Sequence, residues 1–183
     1  SSEIENIIRE MESSSQPSMQ PDLKIYALVL DAMSKSGDAT AVVKAEGLLA
    51  RLKYRFARRE SFVRPDVVMC TILMKIFSKA GLVKRSDSVL TTMAEEYKEG
   101  NIRCRPNEMA FITAMGTWER SERSDAFDGA LRLFHNIRVQ YRKGNADCKP
   151  TVRTFGQLMV ILAQSNHPSK QKAGYTLLRS MQE

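Results

Sequence analysis

A proline followed by a helix-capping residue recurs four times in the chain, and this repeat limits the possible folds more than any other feature. The four dipeptides are Pro21-Asp22, Pro65-Asp66, Pro106-Asn107 and Pro150-Thr151. Their prolines are separated by 44, 41 and 44 residues. Asp, Asn and Thr cap helices because a side-chain oxygen accepts a hydrogen bond from a free first-turn N–H. Each dipeptide therefore predicts a helix start, and the fixed period predicts stacked helical hairpins.

An apolar pattern with helical spacing follows each dipeptide. Counted from the residue after the cap, positions 4, 7, 8 and 11 of the second unit are Cys70, Leu73, Met74 and Phe77. This spacing marks one face of an α-helix, so we expect the first helix of every unit to bury that face. Trp118, at position 11 of the third unit, is accordingly predicted to be a core residue rather than part of a cofactor site.

A break and a second apolar-periodic run complete each unit. The breaks at Gly37 and Gly81 suit a left-handed helix C-cap, whereas Glu122 stands in the equivalent place of the third unit. The second runs end in the last unit with Leu178 and Met181, which we expect to be apolar contact residues. A small side chain precedes each run by four residues and predicts close helix packing: Ala45, Ser86, Ala130 and Gly174.

These patterns predict an all-α protein, arranged as a right-handed α-solenoid of antiparallel helix-turn-helix repeats similar to tetratricopeptide repeats. We expect one array over residues 1–183. Its parts are the second helix and link of a preceding repeat (1–22), three full repeats (23–66, 67–107 and 108–151) and a truncated repeat (152–183). We expect the chain to be a fragment of a longer protein, with any targeting segment outside it.

The charge balance indicates an anionic partner. A net charge of +7 and an isoelectric point of about 9.5 favour nucleic acid, although a basic surface without a partner explains them equally well. No apolar run is long enough to span a membrane. Eight cations of the second helices and links are expected on the outer surface: Arg51, Lys53, Arg55, Arg58, Arg59, Arg138, Arg142 and Lys143.

No residue pattern in the sequence indicates catalysis. Cys70, Cys104 and Cys148 form no C-x-x-C pair, so we expect reduced packing or loop thiols rather than a metal site. His135 and His167 have no partner at ligand spacing, and phosphate-binding loops and nucleophile motifs are absent. We therefore expect no enzyme activity, no cofactor, no metal and no small-molecule substrate.

The repeat resembles the pentatricopeptide repeat family. The closest match is the unit running from Pro65-Asp66 through Lys79-Ala80-Gly81 to Pro106-Asn107, and the resemblance covers nearly the whole chain. The long units are similar to the repeat region of protein-only RNase P, but nothing resembles the metal-binding nuclease domain of that enzyme. The tetratricopeptide signature is absent.

The resemblance implies that the chain binds single-stranded RNA, one base per repeat, in organellar RNA metabolism in a mitochondrion or plastid. In the family, position 5 and the last residue of a unit bind the base edge, and position 2 packs against its face. Thr71 with Asn107 matches a family pair that favours adenine, with Val68 at position 2. The first unit pairs Ala27 with Asp66, and the third unit pairs Ile112 with Thr151, so both lack a side-chain hydrogen-bonding group at position 5.

Each of these site predictions has an alternative. Asp66, Asn107 and Thr151 serve as helix caps whether or not they contact a base. At position 13, Lys35, Lys79 and Arg120 form a row of cations suited to RNA phosphates, yet cations also favour helix C-termini. Two alternatives to RNA binding by the chain itself are a protein-interaction scaffold in an organellar ribonucleoprotein and an accessory segment of an RNA-processing enzyme.

Overall fold

The structure is a computed structural model that describes residues 2–38 and 40–181 of the 183-residue chain. The regular structure of these residues is entirely helical, which confirms the all-α class. The helices are α1 (Ser2–Ser13), α2 (Leu23–Lys35), α3 (Ala41–Ala57), α4 (Val67–Lys79), α5 (Val83–Lys98), α6 (Glu108–Arg120), α7 (Ala126–Arg142), α8 (Val152–Gln164) and α9 (Lys170–Ser180). None of the helices described combines the length and apolar character needed to traverse a bilayer.

The four predicted capping residues all cap helices. Asp22, Asp66 and Asn107 each accept a hydrogen bond from the backbone N–H three residues later, at 2.8, 2.9 and 2.9 Å respectively. Thr151 accepts one from the N–H of Arg153 at 3.2 Å. Such a cap contributes about 1 kcal/mol to the stability of its helix. Helices α2, α4, α6 and α8 accordingly begin directly after their capping residues, at the first residue of each repeated unit.

The apolar face predicted for these helices forms the core. Position 4 is buried in every unit, and Trp118 is 3% exposed, as expected of a core residue. One position is only half-buried, Met159 of the last unit. The other buried side chains of positions 4, 7, 8 and 11 are Tyr26, Val29, Leu30, Met33, Cys70, Leu73, Met74, Phe77, Phe111, Ala114, Met115, Phe155, Leu158 and Leu162.

The first helices form a continuous row in which α2 contacts α4, α4 contacts α6, and α6 contacts α8. Helices α3, α5 and α7 each pack against the first helix of their own unit and that of the next unit. The predicted small residues allow this close approach, because Ala45, Ser86 and Ala130 are completely buried. Ser86 also hydrogen-bonds Thr117 across the α5–α6 contact, with 3.1 Å between the hydroxyl oxygens.

The turns within the first three units differ less than the sequence suggests. Gly37 and Gly81 have φ angles of 65° and 69°, as expected for left-handed caps. Glu122 takes the same conformation with φ of 51°, so the third turn keeps the geometry of the first two despite its side chain. A non-glycine residue in this region is strained, and helix packing on either side of the turn offsets that strain. The fourth turn differs, because Ser165 after α8 is extended, with ψ of 156°.

The links after α5 and α7 contain one-turn 3₁₀ helices at Ile102–Cys104 and Ala146–Cys148. Asn101 and Asn145 fix these links because their buried side-chain amides donate to the carbonyl oxygens of Pro65 and Pro106, at 2.7 and 2.8 Å. Each link is thereby tied to the start of its own unit.

Two predictions about the terminal helices are wrong in detail. In α9, Leu178 and Met181 are 50% and 40% exposed, and the buried residue is Leu177. Leu177 aligns with Leu48, Val89 and Leu133, which are all buried against the first helices. In α1, the spacing of Ile4, Ile7, Ile8 and Met11 predicts an apolar face. That face is buried mainly through Ile8, whereas Ile4 and Ile7 are exposed.

Asp87 is a half-buried carboxylate whose ionisation opposes folding. The indole N–H of Trp118 donates to both of its oxygens at 3.1 Å. Burial nevertheless raises the pKa of Asp87 from 3.8 to about 6, because this hydrogen bond and the charge of Arg132 offset only part of the desolvation. A carboxyl group with a raised folded-state pKa binds more protons when folded, so its contribution to stability declines between about pH 4 and pH 6.

Asp87→Asn should therefore raise the free energy of unfolding at neutral pH by about 1–2 kcal/mol, because Asn keeps an acceptor for Trp118 and cannot ionise. Below about pH 4 the variant and the native protein should be equally stable. Urea unfolding at several pH values measures both effects. A variant that is less stable than the native protein at neutral pH contradicts this account.

Candidate nucleic-acid interface

The exposed face of the first-helix row contains the residues predicted to contact bases. Val68 and Met109, at position 2 of consecutive units, are 50% and 45% exposed. Thr71 and Ile112, at position 5, are half-buried on the same face, and Ala27 is half-buried at position 5 of the first unit. Because α4 contacts α6, these side chains belong to adjacent helices of one surface.

Thr71 and Asn107 have complementary unused hydrogen-bonding groups. The Thr71 hydroxyl donates to the carbonyl of Val68 at 2.8 Å, which leaves its oxygen lone pairs available. Asn107 Oδ1 accepts from the backbone N–H of Ala110 at 2.9 Å, while its Nδ2 has no hydrogen-bond partner in the described part of the chain. The site thus presents one acceptor, from Thr71, and one donor group, from Asn107.

The corresponding residues of the other units do not offer this combination. Asp66 uses one carboxylate oxygen as a cap, with the methyl group of Ala27 at position 5. Thr151 donates its hydroxyl and its N–H to Glu108 Oε1 at 2.6 and 2.9 Å, so it is already engaged. Although burial opposes it, hydrogen bonding from Thr151 holds the pKa of Glu108 below its ordinary value.

The cations at position 13 lie along the C-terminal ends of the first helices. Lys35 pairs with Asp31 of its own helix at 2.6 Å. Lys79 Nζ donates to the carbonyl of Ser34, and Arg120 Nη1 donates to the hydroxyl of Ser78 at 3.0 Å. Lys79 and Arg120 therefore each bridge to the preceding first helix. All three residues are exposed, so the interaction with the helix end and a contact with phosphate are compatible.

A cleft of about 600 Å³ lies next to Asn107 and was not predicted from the sequence. Its wall includes Tyr97, which is 38% exposed and has the guanidinium of Arg105 5.3 Å from its ring centroid. Tyr97 and Arg105 belong to a sequence that recurs after α5 and α7, Tyr-x-x-Gly-Asn-x-x-Cys-Arg/Lys-Pro. The recurrence alone does not show which side chains line a cavity. The lining residues are Val67, Tyr97, Ile102, Arg103, Arg105, Asn107, Glu108, Met109 and Asp147.

The prediction that the second-helix cations lie on the outer surface is partly wrong. Arg55 is 8% exposed, because it hydrogen-bonds groups on three other segments of the chain. Arg51, Lys53 and Arg58 form ion pairs with glutamates at 2.7, 2.9 and 2.6 Å. The cations of this set that form no ion pair within the described residues are Arg59, Arg138, Arg142 and Lys143.

The cysteines are packing residues, as predicted. Cys70, Cys104 and Cys148 are free and buried, and the Sγ atoms of Cys70 and Cys104 are 3.7 Å apart. Burial raises the pKa of Cys148 to about 11. Among residues 2–38 and 40–181, no three His, Cys, Asp or Glu side chains are grouped so that they could hold a metal ion.

No protein-family model matches the chain, and no curated protein sequence matches it significantly.

Proposed function

We propose that the chain is a pentatricopeptide-repeat array that binds single-stranded RNA along the exposed face of α2, α4, α6 and α8. In this proposal the hairpins form a right-handed α-solenoid, and the array acts in organellar RNA metabolism in a mitochondrion or plastid. Two observations support the repeat architecture: the same side-chain cap begins each first helix, and consecutive first helices contact one another in a row.

The observation that carries the proposal is the pair of free groups at Thr71 and Asn107. Adenine presents an acceptor, N1, next to a donor, the N6 amino group, on its Watson–Crick edge. The Nδ2 of Asn107 can donate to that acceptor, and the oxygen of Thr71 can accept from that donor. Val68 and Met109 supply exposed apolar surface for the base faces on the two adjacent helices.

The row formed by Lys35, Lys79 and Arg120 supports a backbone contact on the same helices. Phosphate contacts supply most of the sequence-independent affinity for nucleic acids. These cations recur once in each complete unit and are exposed. An RNA strand that crosses the first helices would therefore bring its phosphates close to them. We infer weak sequence selectivity, because only the second unit has a complete set of base-contacting groups.

A protein-interaction scaffold is the second candidate function, and one observation favours it. Two of the three complete units cannot hydrogen-bond a base in the family manner, since position 5 is Ala27 or Ile112 and Thr151 is already bonded to Glu108. The exposed apolar side chains Ile102 and Met109 suit a protein surface as well as a base.

Replacing Asn107 with Asp separates the two functions of this residue. Asp caps helices as well as Asn does, so stability should not change. Asp lacks the donor group, so the preference for oligoadenylate over other homopolymeric RNAs should fall about 10-fold. Fluorescence anisotropy with labelled single strands measures the preference, and urea unfolding measures the stability.

Asp66→Asn is the matched control, because it makes the reverse exchange at the equivalent cap, beside an alanine that cannot bind a base edge. This variant should leave the base preference unchanged, because the loss of one carboxylate acts alike on RNAs of every sequence. If the Asn107→Asp protein keeps the native preference for adenine, Asn107 is a cap alone. Absence of RNA binding by the native chain favours the scaffold.

A further inference from the structure

The net positive charge of the chain arises in its C-terminal part. Residues 1–131 contain nineteen Lys and Arg and nineteen Asp and Glu, whereas residues 132–183 contain nine basic and two acidic residues. The entire net charge of +7 therefore arises after residue 131. Charge this concentrated on a few helices creates a local positive potential that attracts polyanions.

Few carboxylates accompany the cations of this part. Asp147 is the one acidic residue of the range 132–181, and its ion pair is with Arg105, outside that range, at 3.5 Å. No Lys or Arg in that range forms an ion pair with the described residues. The earlier units differ, since Lys53 and Arg64 both bind Glu96.

Several of these cations line one cleft, which we call the basic cleft. It has a volume of about 550 Å³ and is formed by the end of α7, the following link and parts of α8 and α9. The guanidinium of Arg138 lies 5.8 Å from the ring centroid of Phe134, and Tyr141 is 41% exposed. The lining residues are Arg138, Tyr141, Arg142, Lys149, Pro150, Phe155, Ser180 and Met181.

A second cleft in the same molecule shows what such a site holds. Lys53, Phe56, Ala57, Arg64 and Pro65 line a cleft of about 530 Å³, and their sequence spacing equals that of the first five lining residues of the basic cleft. In that earlier cleft a carboxylate of α5, from Glu96, lies between the two cations, 2.9 Å from the Lys53 Nζ and 2.8 Å from an Arg64 nitrogen.

The two clefts differ in their lining side chains. In the basic cleft Arg138 and Lys149 take the places of Lys53 and Arg64. Arg142 adds a third cation where the earlier cleft has Ala57, and an exposed phenol ring, Tyr141, replaces half-buried Phe56. The geometry that holds an anion is thus repeated with more positive charge and with a free aromatic surface.

We propose that the basic cleft binds one nucleotide of a single-stranded RNA, with its phosphate near Arg142 and Lys149 and its base stacked on Tyr141. Cations combined with an exposed ring are the features by which proteins hold single strands without sequence preference. The site lies mainly on α7, its link and α9, so it is separate from the Thr71–Asn107 site and goes beyond the proposed function. It gives the chain a second RNA contact.

The test compares two double charge reversals of equal size. Arg142→Glu with Lys149→Glu should lower the affinity for a labelled single-stranded RNA by about 100-fold at low salt, and the salt dependence should decrease as expected for about two lost phosphate contacts. Lys84→Glu with Lys98→Glu changes two exposed cations of α5 that form no ion pair in the described structure, and should lower affinity less than about 5-fold. Circular dichroism and urea unfolding check that both variants fold.

Tyr141 distinguishes a nucleotide from bare phosphate. Tyr141→Ala should weaken single-strand binding about 10-fold, Tyr141→Phe should not weaken it, and binding of a blunt RNA duplex should not respond to either change. Equal losses in the two charge-reversal proteins overturn the proposal. It is also overturned if Tyr141→Ala has no effect, or if poly-glutamate displaces the RNA as well as unlabelled RNA does.

The outcome is independent of the proposed function. Loss of adenine preference in Asn107→Asp together with native affinity in the Arg142/Lys149 variant overturns the basic cleft alone. An unchanged preference in Asn107→Asp together with reduced affinity in the Arg142/Lys149 variant supports the basic cleft and removes the base contact at Asn107.

Discussion

Arg55→Ala should lower the free energy of unfolding by about 3 kcal/mol, because it removes the centre of a buried polar network. Arg55 Nη2 donates to Gln20 Oε1 at 2.7 Å and to the carbonyl of Glu12 at 3.0 Å. Its Nη1 lies 3.4 Å from the hydroxyl of Tyr26 and 3.9 Å from the Glu12 carboxylate. One side chain thereby joins α1, the following loop, α2 and α3.

The cost arises from what the substitution leaves behind. Alanine leaves Tyr26 and Glu12 with fewer partners in a region that water does not reach freely, and unsatisfied buried groups cost more than a hydrogen bond gains. Burial already raises the pKa of Tyr26 above its ordinary value, so this hydroxyl remains neutral and requires hydrogen bonds. Glu12 keeps its ion pair with Arg51, at 2.7 Å, and the loss is therefore smaller than for an isolated buried charge.

Arg58→Ala is the matched control, because Arg58 follows α3 directly and pairs with exposed Glu60 at 2.6 Å. Exposed ion pairs contribute little, so this variant should unfold at the native urea concentration. Arg55→Lys should be intermediate, since an ammonium group cannot reproduce the guanidinium geometry. Equal midpoints for Arg55→Ala and Arg58→Ala, measured by far-UV circular dichroism, contradict a structural role for Arg55.

The sequence predicts the first helices well because their determinants are local. A cap and its N–H donor are two or three residues apart, and the apolar face repeats within a single helix. The same reasoning fails for Arg55, whose contacts include a carbonyl 43 residues away. It also fails for Asn101, which binds a carbonyl 36 residues away. A charged or amide residue with a distant partner resembles any exposed polar residue in the sequence.

The same distinction between local and distant determinants applies to the candidate site. Helical periodicity is sufficient to place Val68 and Met109 on the exposed side of the row, and the structure agrees. The lining of the cleft beside Asn107 was not predictable, because Tyr97 and Asp147 come from links and helix ends of different units. The two roles of Asn107 also cannot be separated by sequence, since the Oδ1 that caps α6 and the Nδ2 that is free belong to one amide.

Gly129→Ala should lower the free energy of unfolding by about 3 kcal/mol, although alanine is the better helix former. Gly129 is buried in α7, and a Cβ atom there would lie 2.5 Å from Cε3 of Trp118 and closer still to Cδ2 and Cε2. The indole cannot move away easily, because its N–H is bonded to Asp87 and the guanidinium carbon of Arg132 lies 5.4 Å from the ring centroid. Overlap of this extent requires a shift of α6, α7 or both.

Gly47→Ala provides the matched control within the same fold. Gly47 is an exposed position in α3 with no atom within 4 Å of an added Cβ, so alanine should stabilise the protein by about 0.5–1 kcal/mol. The same substitution is thus expected to have opposite signs at the two glycines. Urea unfolding of both variants measures the difference.

A double variant identifies the indole as the cause. Trp118→Leu alone should be destabilising, because it removes a side chain that is 3% exposed. In that background Gly129→Ala should cost little or become favourable, since the added methyl group then occupies part of the space left by the ring. The two effects should consequently be strongly non-additive. If Gly129→Ala costs the same with and without the indole, the requirement for glycine comes from the backbone of α7 and not from its contact with Trp118.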